Sequence, residues 1–126
     1  MLLKLSVVSV IVVAAIFAED DPPQAPKPDR ALVAKGDSVY HGKLGGAICH
    51  VCHGQNAKGM PGMGPDLTDG KWLHGDGSLA SIEATIRVGV TKPKESTTVM
   101  PPGGGVPLDS TRIRAVAAYV YSLNAR

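Results

Sequence analysis

Cysteine is scarce in this chain, with two residues, Cys49 and Cys52, among 126. That excludes a small domain stapled by several disulfides. Aromatic residues are thin as well, at one Trp, one Phe and three Tyr. Neither sign of charge dominates: 13 Lys+Arg stand against 11 Asp+Glu, a net +2. The concentrated basic patch of a nucleic-acid binder is therefore missing. No segment reads as a convincing paired strand, and no internal repeat is visible. A chain this short has no room for a βα barrel or a two-half dinucleotide-binding fold. Nor does any nucleophile–base pair, carboxylate pair or phosphate-cradling loop occur at usable spacing.

One long apolar run is present, at the N-terminus. Leu5 to Phe17 is interrupted only by Ser6 and Ser9, follows Lys4, and precedes Ala18 and the acidic triplet Glu19-Asp20-Asp21. It is shorter than the roughly 20 residues that cross a bilayer. Residues 1–18 read as a secretory signal cleaved after Ala18, with Ala15 a competing site and a retained membrane anchor the alternative. Residues 19–29 hold four prolines and no large apolar side chain, so they read as a flexible tether. Residues 30–126 then form one domain. Its 15 Gly and 10 Pro, counted over the whole chain, mark long loops.

Three helices are predicted. One runs from about Asp29, its cap, to Tyr40, with Leu32, Gly36, Val39 and Tyr40 on one face. A second runs from Ser78 to Val88, carrying Leu79, Ile82 and Ile86 and ending at Gly89. The third spans about Asp109 to Leu123, with Ile113, Val116, Ala117 and Val120 facing inward. Three short helices bury too little apolar area to offset the ordering entropy of such long loops. A large apolar cofactor at the centre would close that deficit.

Cys49-His50-Val51-Cys52-His53 places two thiols three positions apart with an imidazole directly after. That is the attachment pattern of c-type haem. One helical turn separates the thiols, matching two vinyl groups on one porphyrin edge, and the adjacent histidine can reach the iron. Three other readings compete. A redox dithiol needs a strand–loop–helix context, whereas Lys43 to Ile48 is glycine-rich. A zinc site needs a second pair of ligands, and His74 stands alone. A plain disulfide would close a very small loop.

Further segments resemble class I cytochrome c, the small monohaem electron carriers. Gly36 and Tyr40 precede the Cys49–Gly54 site, Gly64-Pro65-Asp66-Leu67 resembles the loop after the histidine, and Val99-Met100-Pro101-Pro102 resembles the methionine loop. Ile113 to Leu123 resembles the closing helix. The glycine-rich step Gly42–Gly46 is slightly longer than the family pattern. The resemblance implies an all-α fold of three main helices and long loops wrapped around one haem, held covalently by Cys49 and Cys52. It implies His53 and Met100 as the iron ligands, Pro65 accepting a hydrogen bond from His53, and Leu67 packing on the ring. It also implies a crossing of the first and last helices at Gly36, with Tyr40 and Tyr119 beside it. Trp72 either donates its indole N–H to a haem propionate or is an ordinary core residue. Met60 and Met63 read as packing over the haem edge, while His41, His50 and His74 read as surface residues, with His50 facing solvent. Asp66, Asp69 and Asp76 read as turn caps.

Iron held by His and Met has no open position for substrate and suits one-electron transfer. The expected function is thus a periplasmic electron carrier, not itself an enzyme. Its donor and acceptor are periplasmic or membrane-bound redox proteins. It takes no nucleic acid and no small-molecule substrate, and touches the membrane only if the N-terminal segment is retained. A haem c subunit of a larger periplasmic dehydrogenase or reductase complex is the alternative. A gas-binding or peroxidatic haem protein is a third reading, which needs a vacant iron position. Lys43, Lys58, Lys71, Lys92 and Lys94 are candidates for a docking ring, against a plain solvated surface.

Overall fold

The computed structural model describes residues 26–124; the expected signal segment lies outside them. The chain runs through helix α1 (Arg30–Tyr40), a short helix α2 (Cys49–His53), helix α3 (Leu79–Val88), a 3₁₀ turn (Pro102–Gly105) and helix α4 (Ser110–Ser122). The fold is all-α. Among the described residues, extended pairing is confined to two isolated bridges, Met60 with Gly64 and Val90 with Met100. No helix among them is long and apolar enough to cross a membrane.

Each long helix starts where a side-chain oxygen can take an orphan backbone N–H. Asp29 accepts from the Leu32 amide, Ser78 from Ser81 and Asp109 from Arg112. Helix α3 stops at Gly89, whose φ of 76° few other residues adopt. Two elements go beyond the three predicted helices: α2 over the cysteine pair, and the 3₁₀ turn, in which Gly103 and Gly104 take positive φ. Elements of four or five residues are too short to show a helical periodicity.

The frame is α1 packed across α4, with α3 against α4. The crossing sits at Gly36, where the backbones touch. A Cβ there would overlap the Ala115 carbonyl and stand 2.8 Å from Tyr119 Cβ. Tyr40 and Tyr119 flank the contact with ring centroids 5.2 Å apart. Val39, Tyr40 and Val116 are the largest fully buried side chains. Ile82, Ile86, Ile113 and Val120 extend this core toward the loops.

Candidate functional site

An open cavity with about 1190 Å³ of unfilled space, its mouth included, lies between the inner faces of α3 and α4 and the two long loops. Its wall is mainly apolar: Leu67, Trp72, Ile82, Ile86, Val90, Val116 and Val120 contribute, and Cys49, Cys52 and His53 from α2 and Met100 from the methionine loop reach it.

Cys49 and Cys52 sit one turn apart on α2 as separate half-buried thiols. Burial pushes the Cys49 thiol up to about 11, the opposite of the lowered pKa of a redox dithiol. Among the described residues, no three His, Cys, Asp or Glu side chains gather as a metal-holding set, so a zinc knuckle finds no partners here. His53 is buried, and its Nδ1–H donates to the Pro65 carbonyl at 2.9 Å. Burial lowers the His53 pKa, against the opposing pull of that carbonyl. The ring is therefore held neutral with its proton on Nδ1, and Nε2 keeps a free lone pair. This approach depends on Gly64, where a Cβ would stand 2.8 Å from the Cys52 carbonyl oxygen and 3.1 Å from His53 Nδ1.

Met100 is anchored by its backbone. Its N–H donates to Val90 at 3.0 Å and its carbonyl accepts from Val90 at 2.8 Å. The bridge fastens the methionine loop just beyond the end of α3. Pro101 continues the wall, and Gly104 comes within 3.0 Å of Cys49 Sγ at its would-be Cβ. Two thiols on one side, a lone-pair imidazole and a neutral thioether around an apolar slot suit a covalently attached tetrapyrrole.

Leu67 and Trp72 both line the cavity, with the Trp72 indole nitrogen lying over Gly77. The three aspartates cap turns: Asp66 accepts from Thr68, Asp69 from Lys71 and Asp76 from Ser78. Met63 lines the cavity but Met60 does not. Met60 is 42% exposed, because its bridge to Gly64 turns the side chain outward. His50 also departs from expectation. It is half-buried and bonds the Tyr40 carbonyl at 3.1 Å rather than facing solvent. His74 is half-buried in the cavity wall. Of the five lysines, Lys71 and Lys94 stand at the cavity, with Glu95 beside them, while Lys43, Lys58 and Lys92 lie elsewhere on the surface. Ile82, Ile86, Val116 and Val120, placed by periodicity on the inward faces of their helices, line the cavity. Helical periodicity identifies an inward face but not whether protein or a ligand covers it.

Residues 31–120 match the protein family described as cytochrome c oxidase, cbb3-type, subunit III. The chain is 41% identical over 96 residues to the cbb3-type cytochrome c oxidase subunit CcoP of Rhodobacter capsulatus, covering 75% of this chain and 30% of that protein. It is 43% identical over 88 residues to the FixP subunit of Bradyrhizobium sp. strain ORS 278, covering 69% of this chain and 28% of that protein. The chain thus spans less than a third of the length of these curated relatives. In overall structure it is similar to cytochrome cL of Methylophaga aminisulfidivorans, with a TM-score of 0.54 at 23% identity over 78% of this chain and 57% of that one. This last likeness speaks to the fold.

Proposed function

The chain belongs to the family of cytochrome c oxidase, cbb3-type, subunit III, and from that membership we propose that it serves as the haem-bearing electron-transfer part of a larger respiratory redox complex. It is a c-type cytochrome of electron transport with the class I fold. The relatives named as oxidase subunits favour a fixed subunit over the free carrier that the sequence alone suggests. The observation that carries the reading is the convergence of Cys49, Cys52, His53 and Met100 on one apolar cavity.

In this proposal the chain holds one haem c. Cys49 and Cys52 would hold the group, each thiol adding across a vinyl to give a thioether with no oxidant needed. The bound haem supplies a one-electron iron couple. His53 would hold the iron through its free imidazole nitrogen, and the Pro65 carbonyl fixes its tautomer and would strengthen it as a ligand. Met100 would supply a second ligand, a soft neutral donor that favours the reduced state. The apolar wall would keep solvent from a bound group. Export by residues 1–18 would place the domain in the periplasm, against membrane-bound donor and acceptor sites.

Expression with a cytochrome c maturation system tests this. Haem should stay on the polypeptide in a denaturing gel, and the oxidised protein should show the long-wavelength band of methionine ligation. Cys49→Ala with Cys52→Ala should abolish the retained haem. Met100→Ala should remove the band and open the reduced iron to carbon monoxide. Wild-type protein without retained haem would overturn the proposal. Wild-type haem that binds carbon monoxide freely would favour a gas-binding protein. Co-purification with a membrane oxidase, against recovery as a soluble monomer, decides between fixed subunit and free carrier.

A further inference from the structure

A cluster of polar side chains lies where the end of α1 meets α2. Tyr40 OH donates to the Gly54 carbonyl at 2.7 Å, His50 Nδ1–H to the Tyr40 carbonyl at 3.1 Å, and His41 Nε2 lies 2.9 Å from the Gln55 carbonyl. Three side chains thus tie the first helix to the segment that carries the cysteines and to its exit.

His41 differs from the other two. Its Nε2 faces the Gln55 carbonyl, which can only accept. Its Nδ1 faces two more acceptors, the Asp37 carbonyl at 3.0 Å and the Asp37 carboxylate at 2.8 Å. A neutral imidazole carries one N–H, so one nitrogen lone pair would be set against an oxygen lone pair. Only the imidazolium satisfies both sides. The groups facing it are Asp37 and Tyr40 from α1, His50 from α2, stacked at 6.0 Å and 25°, and Tyr119 from α4 at 6.3 Å. Asp37 is the one ionised partner of opposite charge among them.

We propose that His41 is held as an imidazolium that pins the exit of the attachment helix to the end of α1, a positioning residue for the haem-bearing segment whose hold weakens as the pH rises. The positioning role rests on the proposed attachment through Cys49 and Cys52. The proton state itself depends only on protein oxygens. In keeping with this geometry, the His41 pKa is raised, chiefly by the Gln55 carbonyl and further by Asp37, against a smaller opposing effect of burial. A raised folded value makes the contribution full below the ordinary histidine pKa, and it is lost as the pH climbs through the folded one.

Histidine NMR on the holoprotein reads the proton state directly. Both His41 ring nitrogens should be protonated at neutral pH. Amide exchange then reads the positioning, at Ala57 N–H, which donates to Gly54, and Gly59 N–H, which donates to His53. His41→Phe keeps the ring packing and removes both donors. It should exchange these amides about tenfold faster than wild type in mild acid, the worth of roughly one charge-assisted hydrogen bond. That ratio should fall as the pH passes the His41 value, since the neutral ring keeps one N–H for two facing acceptor sides. Asp37→Asn leaves the Gln55 contact in place and should move the fall to lower pH. A single protonated His41 nitrogen at neutral pH, or a ratio that stays constant with pH, would overturn the proposal. Loss of haem from the wild-type gel would sink the attachment reading alone, since the His41 titration does not depend on it.

Discussion

Tyr40 shows how much one hydroxyl decides at the residue scale. Its ring is fully buried, and its OH donates to Gly54, fourteen residues on, just past the attachment helix. Burial and the neighbouring thiols raise its pKa, so it remains a neutral donor. Tyr40→Phe should keep the ring packing and cost about 1 kcal/mol. The cost stays at that level because the Gly54 carbonyl retains the Ala57 N–H. A urea midpoint with unchanged slope checks it. Buried His53 depends in the same way on a single backbone carbonyl, that of Pro65. The resemblance places Leu67 on the haem ring and leaves Trp72 open between a propionate donor and an ordinary core residue; both line the cavity. The polar roles of His41 and His50 were not legible, since nothing in their neighbouring residues shows which carbonyl each imidazole will meet.

The helix ends were the most legible part of the fold at the element scale. Asp29, Ser78 and Asp109 each occupy a cap, because capping is settled within three residues. What the elements do to one another is less local. The crossing of α1 and α4 at Gly36 leaves no space for a methyl group, because the Ala115 carbonyl lies where it would go. Gly36→Ala should therefore cost about 3 kcal/mol or more, despite alanine's better helix propensity, since neither backbone can yield without parting the helices. Thermal unfolding would check the sign. A stabilised Gly36→Ala variant would mean that the helices cross elsewhere. The short α2 owes its form to the same frame: its backbone is fastened at Ile48 by the Gly104 carbonyl and at its exit by α1.

Across the whole molecule, exposed carboxylates hold the loops and helix starts. The Thr68 hydroxyl and amide lower the Asp66 pKa, Ser78 does so for Asp76, and the Arg112 amide and guanidinium for Asp109. Their depressed folded values mean that the stabilisation is present above the ordinary carboxylate pKa of about 3.9 and is lost as the pH falls through the lower folded ones. Urea midpoints should hold steady in weak acid and then drop. Asp109→Asn, which can still cap α4 but does not titrate, should show a shallower acid drop than wild type. An unchanged drop would remove Asp109 from the account. The same view explains the thin core. Inward faces of α3 and α4 that read as core are divided between packing on each other and lining the cavity.

The sequence by itself determined the three long helices and the caps Asp29 and Ser78, and it carries the thiol–imidazole motif, because each is encoded within a few consecutive residues. Three short helices, long loops and few aromatics also pointed to a central apolar group, a matter of composition. Tertiary structure alone decided that Met63 turns inward while Met60 turns out, that Met100 is bridged to Val90, and that His41 meets Gln55. These depend on where distant segments of the chain come to lie, which local pattern does not specify.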